Sequence, residues 1–414
     1  MTKQDFVQAA FKVWGRELYK KTSLSDIAEN LGVTKAALYR HFAGKEELRG
    51  AMFTAFFDRL SDSLLPVYKE AIAGGGGETR VEGILAITKA IALYYTRNRD
   101  DFIFAMTEAY GNRDRRQNII EQLMDRGIDL MGYVTVDRDT RSHPSVGHLV
   151  MSTVICQTAV LHKHMMLANR VATEDEIRDW VDAIEKKIKY GLAWKDVEIN
   201  SLNWNNLEKK AEEEARKSSK ADEQKKILNA VASAVAEAGP WNASMKMVAE
   251  RSGLSKSSLY SHFENKKDML RQLFSGEFDK IINLAKSCSL ESKEPVEQLY
   301  LSMMGIVFYL KANSQILTAM DWMKTRRLGL EKNKNFCPPT EDVKDTTMYE
   351  HIQTIFSNIK DQKDCPLINN RDTDLILFLI VNTLMRKPAA VSFSDLPNES
   401  FRILFKFIVK GIKE

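Results

Sequence analysis

An internal repeat constrains this chain more than any other feature. Residues 22–48 read TSLSDIAENLGVTKAALYRHFAGKEEL, and residues 243–269 read ASMKMVAERSGLSKSSLYSHFENKKDM. Gly32 aligns with Gly253, an offset of 221 residues, and no gap is needed. The identical pairs are Ser23/Ser244, Ala28/Ala249, Glu29/Glu250, Gly32/Gly253, Lys35/Lys256, Leu38/Leu259, Tyr39/Tyr260, His41/His262, Phe42/Phe263 and Lys45/Lys266. Self-similarity at a fixed spacing predicts one structural unit that occurs twice.

The repeat continues, more weakly, over most of the 414 residues. YYTRNRDDFIFAM (94–106) is similar to FYLKANSQILTAM (308–320), and IEKKIKYGL (184–192) is similar to LFKFIVKGI (404–412). The halves are therefore about 1–197 and 222–414. Between them, EKKAEEEARKSSKADEQKK (208–226) is almost entirely charged, with alanine and serine. This composition predicts a solvated helical or flexible linker over 198–221.

The repeated segment predicts two short helices joined by a glycine turn. Thr22 or Ser23 can cap the first helix and Thr34 the second, because a side-chain oxygen accepts from the free backbone N–H groups there. Gly32 suits the left-handed backbone of a sharp turn. The apolar residues recur at helical spacing, namely Leu24, Ile27, Ala28, Leu31, Leu38, Phe42 and Leu48. This arrangement indicates a helix-turn-helix.

The second short helix carries groups suited to DNA away from its core face. Lys, Tyr, His and Thr donate to phosphate oxygens, whereas Arg can read a guanine edge and alanine can touch a thymine methyl. Lys45 opens the next helix, where its charge and the backbone N–H groups suit a phosphate. The alternative is a helical hairpin with an incidentally polar surface. Recurrence of the same Lys, Tyr, His and Lys in the second copy argues against that alternative.

Composition excludes several other classes of protein. A net charge of +4 does not by itself indicate a nucleic-acid partner. No apolar run reaches the roughly 18 residues of a membrane span, and no signal peptide opens the sequence, so we expect a cytoplasmic protein without a membrane partner. The four cysteines lie far apart, and His162 and His164 near Cys156 would point about 200° apart on a helix, so no metal site is expected. No catalytic or cofactor motif occurs, which predicts a protein that is not an enzyme and needs no cofactor.

Both segments resemble the TetR/AcrR family of transcription regulators. GVTKAALYRHFAGKEEL and GLSKSSLYSHFENKKDM carry its glycine turn, its Ser or Thr, and its Leu-Tyr-x-His-Phe-x-x-Lys run before a long helix. The resemblance implies an all-α fold of two tandem units. Each unit has a helix-turn-helix head (1–50 and 222–271) and a helical ligand-binding and dimerisation domain (51–197 and 272–414). Family members bind double-stranded operator DNA as twofold dimers, and a small ligand changes the spacing of their heads.

The resemblance also implies the contact residues. In the first head, phosphate contacts are expected from Thr22, Thr34, Tyr39, His41 and Lys45, and base contacts from Lys35, Ala36, Ala37 and Arg40. In the second head, the matching phosphate set is Ser255, Tyr260, His262 and Lys266, with Lys256, Ser257, Ser258 and Ser261 at the base positions. The second head departs from the pattern, because Ala243 aligns with Thr22, so that Asn242 or Ser244 would cap its helix. Pro240-Trp241 also replaces Tyr19-Lys20.

In the family, the last two long helices of each unit form a four-helix bundle with the partner. Here those helices are expected at 145–170, 174–193, 372–387 and 397–412. Pairing within one chain would give an intrachain pseudo-dimer on an asymmetric operator, because Arg40 is replaced by Ser261 in the second head. The competing arrangement is a homodimer of two chains with four heads.

The middle of each half, 79–135 and 294–360, is the expected effector domain. Candidate ligand-lining residues are Tyr94, Phe102, Met106, Tyr110, Phe308, Met320 and Trp322, although aromatic and Met residues at helical spacing also fit simple core. The sequence therefore predicts a transcription regulator, expected to be a repressor, that a small apolar or aromatic effector releases from DNA. The alternative is a ligand sensor or scaffold of the same fold with one impaired head.

Overall fold

We describe the chain from a computed structural model, which describes residues 2–14, 23–74, 78–109, 113–130, 146–192, 198–218, 223–327, 350–351, 354, 370–386 and 391–412. The regular secondary structure of these residues is helical throughout, and they contain no strand. The first half contains α1 (Lys3–Trp14), α2 (Leu24–Asn30), α3 (Lys35–Tyr39), α4 (Lys45–Ala73), α5 (Glu78–Arg97), α6 (Arg99–Phe104), α7 (Arg113–Met124), α8 (Val146–Leu167) and α9 (Glu174–Tyr190). A π-helical turn, Ala105–Ala109, continues α6.

The second half repeats this order after one additional helix, α10 (Trp204–Ser218). It contains α11 (Glu223–Asn242), α12 (Met245–Ser252), α13 (Lys256–Tyr260), α14 (Lys266–Ser289), α15 (Pro295–Ala312), α16 (Ser314–Arg327), α17 (Asn370–Met385) and α18 (Glu399–Lys410). In both halves a long helix leaves the head and packs along the helix that follows it, α4 on α5 and α14 on α15. The all-α fold of two tandem units is thus confirmed.

The structure corrects the alignment of the effector domains by one residue. Asn98 and Asn313 each fold back so that their side-chain and backbone N–H groups donate to the carbonyl oxygens of Tyr94 and Tyr309. The Asn side chain fixes the bend between two helices at the same place in each half. Tyr94 therefore corresponds to Tyr309, whereas the sequence comparison paired it with Phe308.

The prediction of a solvated linker over 198–221 was wrong for its helical part. One face of α10 is buried, because Leu207, Ala211 and Ala215 pack against α14 and α15. On the same face, the buried carboxylate of Glu208 accepts from Tyr300, Asn398 and Arg402. The high proportion of charged residues conceals this stripe, whose apolar members recur every four residues along the helix.

Helices from the two halves contact one another at the far end from the heads. α8 packs on α17 and α9 packs on α18. The backbone N–H of Leu192 donates to the carbonyl oxygen of Ile408 at 2.8 Å, and that of Ile412 donates to Ile188 at 3.0 Å. The two hydrogen bonds are equivalent to each other. Ile188 matches Ile408 and Leu192 matches Ile412, each pair 220 residues apart, and donor and acceptor lie on opposite halves in the two bonds. The crossing thus has approximate twofold symmetry.

Two glycines permit this close crossing. Gly191 and Gly411 end α9 and α18 with φ of 66° and 73°, in the left-handed region that favours glycine. A methyl group at Gly411 would lie 2.5 Å from the carbonyl oxygen of Ile188, and one at Gly191 would lie 2.5 Å from the carbonyl carbon of Val409. Backbone atoms occupy both places, so the crossing requires glycine on each helix.

Candidate DNA-binding interface

The first head is a three-helix unit with a dense core. The side chains of Phe6, Trp14, Leu38, Phe42 and Leu48 are almost completely buried. They come from α1, α3, the turn after α3 and the start of α4, so this core fixes α3 against the other helices. The following segment, α4, carries the whole head at its N-terminal end.

The turn between α2 and α3 follows from its residue types. Ser23 caps α2 in a capping box with Asp26, and Thr34 caps α3 by accepting from the N–H of Ala37 at 3.3 Å. Gly32 has a φ of 66° between the two helices. The second head repeats these features with Ser244, Ser255 and Gly253. Ser244 aligns with Ser23, so the same serine caps this helix in both copies, although only the first copy forms a capping box.

The recognition helices, α3 and α13, each have a buried face and an exposed face, as the spacing of their residues predicts. Leu38 and Leu259 are completely buried, whereas the adjacent tyrosines, Tyr39 and Tyr260, are 46% and 48% exposed. The other candidate residues on the outward side of α3 and α13 are exposed or half-buried: Thr34, Lys35, Ala36, Ala37 and Arg40, with Ser255, Lys256, Ser257, Ser258 and Ser261. The two heads therefore present matching outward faces with different side chains. Thr22 lies outside the described residues.

The two heads differ at the candidate histidines. His41 is half-buried, and its ring centroid lies 5.0 Å from that of Phe6 on α1. His262 is exposed, and its backbone carbonyl accepts from Gln272 at 3.4 Å. His41 therefore has a packing role in the first head in addition to its predicted contact with phosphate.

The start of α4 has the features of a phosphate site. Gly44 precedes the helix with no side-chain cap, so its position leaves room for an external acceptor near the first N–H groups. Lys45 is half-buried with its Nζ atom 6.0 Å from the centre of the Trp14 ring, and burial lowers its pKa. In the second head, by contrast, Asn265 caps α14 by accepting from the N–H of Asp268.

The serines on the second recognition helix bond to one another. The hydroxyls of Ser255 and Ser257 lie 2.9 Å apart, and the hydroxyl of Ser261 donates to the carbonyl oxygen of Ser258 at 2.6 Å. Arg40, at the position matching Ser261, is an exposed cation instead. The first face therefore offers one more positive charge, and the second offers short hydroxyls that already have intramolecular partners.

The candidate ligand-lining residues are core residues where they are described. Phe102, Met106 and Met320 are buried, and Phe308 is half-buried. Tyr94 is buried with its hydroxyl bonded to the carboxylate of Asp101. Tyr110 and the side chain of Trp322 lie outside what the structure describes. These positions fit core as well as pocket lining, so their assignment to a ligand remains a prediction.

Sequence reasoning missed two buried acidic residues in the first effector domain. Asp101 binds Arg59 of α4 through both carboxylate oxygens, at 2.5 and 2.9 Å, and Glu108 lies 3.6 Å from Arg49 of the same helix. The sequence does contain a sign of both residues, because each is a carboxylate in or beside the apolar residues of DDFIFAMTEA (100–109). A charge at a buried helical position requires a partner, and here α4 supplies it.

The described residues contain no group of three or more His, Cys, Asp or Glu placed to hold a metal ion. Burial lowers the pKa of His162 to about 4, so its imidazole is neutral at pH 7, and Nε2 bonds to the carbonyl oxygen of Tyr95 at 2.9 Å. His164, on the same helix, is exposed. Nor does any described helix have both the length and the apolar character required to cross a bilayer.

Comparison with known families matches the two heads. The sequence model described as "Bacterial regulatory proteins, tetR family" matches residues 6–52 and 227–273. The two matched ranges are separated by the same 221 residues as the repeat. Each covers all but the first few residues of a head, together with the start of the long helix that follows. The chain therefore carries two tandem copies of the DNA-binding domain of the TetR family, and it is a DNA-binding transcription regulator.

Proposed function

We propose that the two heads of one chain bind one operator together, as an intrachain pseudo-dimer. The observation that carries the proposal is the reciprocal pair of hydrogen bonds between Leu192 and Ile408 and between Ile412 and Ile188. In a twofold dimer, such equivalent contacts form between identical subunits. Here they join the two halves of one polypeptide, which supports a binding unit with one copy of each head.

The operator of such a unit is asymmetric. Both heads keep a tyrosine and the lysine that begins the next helix, Lys45 or Lys266, for the DNA backbone, but Arg40 faces one half-site and Ser261 the other. A bidentate arginine contact to guanine contributes roughly 1–3 kcal/mol of discrimination. The first half-site is therefore expected to contain a strongly preferred guanine that the second lacks.

A binding selection from random duplexes tests the proposal. The native chain should select two unlike half-sites, and Arg40→Ser should abolish the preferred guanine in one of them. The reciprocal variant, Ser261→Arg, should create a preferred guanine in the other half-site. Two identical half-sites from the native chain, or unchanged preferences in Arg40→Ser, would contradict intrachain pairing.

We further propose that the protein is a cytoplasmic repressor released from DNA by a small apolar or aromatic effector, with no catalytic step. The support is the resemblance to the family together with the aromatic interior of the first effector domain, where Tyr95 packs on Phe102 at 5.4 Å between ring centroids. A reporter gene under the selected operator tests this function. Expression should rise when the gene for this chain is deleted.

The second candidate is a sensor whose second head is impaired. The serine hydroxyls that bond to one another and the Asn265 cap favour it, because both reduce the groups that can bind DNA. Lys256→Ala together with Tyr260→Phe separates the two functions in a footprinting assay on the selected duplex. Loss of protection over one half-site supports two working heads, whereas unchanged binding supports the sensor.

A further inference from the structure

Three contacts join the first head's long helix to α6 and its π-helical turn. Arg59 binds Asp101 at 2.5 and 2.9 Å, Phe53 packs on Phe104 with ring centroids 4.9 Å apart, and Arg49 lies 3.6 Å from Glu108. On α4 these positions are four and six residues apart, and their partners Asp101, Phe104 and Glu108 follow at intervals of three and four residues. The contacts therefore form one row along the two segments, with an ion pair at each end and an aromatic pair between them.

The row is buried and has further links to the head. Asp101 is 6% exposed and Glu108 is 7% exposed, so neither carboxylate is stabilised mainly by water. The hydroxyl of Tyr94 also donates to Asp101. The Arg59 guanidinium lies 4.5 Å from the centre of the Phe11 ring on α1, and Phe11 packs on Phe104 at 5.0 Å. The same row therefore holds both α4 and α1.

The second half lacks the row. At the offset of the heads, Arg49, Phe53 and Arg59 correspond to Leu270, Phe274 and Lys280. At the offset given by Asn98 and Asn313, the partners Asp101, Phe104 and Glu108 correspond to Ile316, Ala319 and Met323. Lys280 instead pairs with Glu277 on its own helix at 2.7 Å. Apolar residues replace the charges at the other matched positions, and two of them, Leu270 and Ile316, are buried.

The distance between the row and the head makes the angle of α4 important, because a small tilt of the helix at Arg59 moves the head by several ångström. Lys45, at the head end of α4, is 14 residues from Arg59, which is about 21 Å along a helix. A tilt of about 10° at Arg59 would therefore displace that end by about 4 Å, since the helix rises 1.5 Å per residue. A displacement of that size exceeds the length of a hydrogen bond, so phosphate and base contacts on the first head depend on the angle that the row sets.

We propose that Asp101 and Glu108 are positioning residues for the first DNA-binding head, and that movement of α6 acts on this head much more than on the second. The proposal rests on the proposed function, in that both heads bind one operator. Ion pairs specify one register between two helices, because a shift leaves buried charges without partners. In the second half the buried carboxylate of Glu277 on α14 accepts from Tyr309 of α15, but no ion pair joins α14 to α16 among the described side chains.

Paired spin labels test the proposal without DNA. Cysteines at the exposed positions Glu29 and Glu250 would carry the labels, with Cys337 and Cys365 replaced by serine and the buried Cys156 and Cys288 retained. Glu108→Gln and Asp101→Asn should broaden the distribution of label-to-label distances. Lys280→Gln, at the position that matches Arg59, removes an ion pair within α14 alone and should leave the distribution narrow. Equal distributions in all four proteins would overturn the proposal.

Footprinting on the duplex selected by the native chain supplies the second readout. Glu108→Gln and Asp101→Asn should raise the Kd about fivefold or more, within the usual range of coupling between sites. Protection should weaken over the Arg40 half-site and persist over the other. Equal weakening over both half-sites would indicate a general structural role and overturn the proposal.

Two further measurements keep the outcomes distinguishable. If Asp101→Asn fails to fold, Tyr94→Phe takes its place, because it removes only a hydroxyl from the row. It should broaden the label distances and weaken protection of the Arg40 half-site to a smaller extent. Thermal unfolding, followed by circular dichroism, identifies such a failure. If the native chain selects no duplex, the proposed function fails, while the label distances still decide whether Asp101 and Glu108 position the head.

Discussion

At the scale of single residues, the two recognition tyrosines provide the most direct test of the interface. Tyr39 and Tyr260 are about half exposed and follow a buried leucine in each head. A hydroxyl that donates to phosphate contributes about 1 kcal/mol to binding, or roughly fivefold in Kd. Tyr39→Phe and Tyr260→Phe should each raise the Kd by about that factor in a fluorescence titration.

Stability separates this effect from damage to the head. Both tyrosine side chains are about half exposed, so the unfolding midpoint of both variants should equal that of the native chain. A Kd unchanged in both variants would remove the tyrosines from the interface. A change in Tyr39→Phe alone would instead favour the sensor with an impaired second head.

The sequence was sufficient for the parts of this interface that depend on local spacing. The burial of Leu38, the exposure of Tyr39 and the left-handed Gly32 all follow from helical periodicity and turn chemistry. The packing of His41 on Phe6 could not be predicted, because it depends on where a separate helix crosses. The bonds among the serines of α13 depend on side-chain rotamers, which sequence spacing does not specify.

At the scale of helices, α10 shows how composition can conceal a packed face. Glu208 accepts four hydrogen bonds at 2.7–3.0 Å from Tyr300, Asn398 and Arg402. Removing one partner of a buried pair typically costs about 3–5 kcal/mol, because the other charge remains buried. Since Arg402 is partly exposed, we expect Glu208→Ala to lower the free energy of unfolding by about 2–3 kcal/mol, as measured by urea denaturation.

Glu212 offers a matched control on the same helix. It pairs with Arg216 at 2.7 Å, but the side chain of Arg216 is 75% exposed and that of Glu212 is 44% exposed. Exposed pairs contribute about 0–1 kcal/mol, so Glu212→Ala should have a small effect. Similar losses in the two variants would mean that α10 is a solvated linker after all.

The same carboxylate makes a prediction about pH. Burial opposes ionisation of Glu208, but hydrogen bonds from Arg402, Tyr300 and Asn398 outweigh it and hold the pKa below its ordinary value of 4.5. A lowered carboxyl pKa stabilises the folded chain above pH 4.5, and this contribution is lost as pH falls from there through the folded-state pKa. The stability difference between the native chain and Glu208→Gln should therefore be constant above about pH 5.5 and shrink below pH 4.5. Urea denaturation at several pH values measures it, and a difference that grows on acidification would contradict the assignment.

At the scale of the whole molecule, the repeat predicted which helices pair but not the contact that joins them. The expected bundle helices, 145–170, 174–193, 372–387 and 397–412, correspond closely to α8, α9, α17 and α18. Their apolar residues fit either a core within each half or a contact between halves. The glycines in YGL and KGI were visible as part of the repeat, but only the crossing geometry explains why both are needed.

The last prediction concerns those glycines. In Gly411→Ala, the new methyl group would meet the backbone of Ile188 and Gly191, which no side-chain rotation can relieve. Gly127→Ala is the control, because Gly127 also has a positive φ, of 81°, but its nearest neighbour would be a Leu65 side-chain carbon at 3.9 Å. Left-handed strain alone costs about 1–2 kcal/mol, which is the loss of stability expected in Gly127→Ala. Gly411→Ala should therefore lose more stability than this control, and it should also separate α9 from α18.

Sedimentation and label distances measure that separation. The native chain should sediment at 47.2 kDa, as a monomer with two heads, and should show a narrow distance distribution between labels at Glu29 and Glu250. Gly411→Ala and Gly191→Ala should broaden that distribution and weaken operator binding, because heads without a fixed spacing bind as two weakly linked sites. A native chain that sediments at twice this mass, with distances unaffected by either glycine variant, would show that the pairing occurs between chains. The unit on DNA would then carry four heads, and each chain would need a partner to bind its operator.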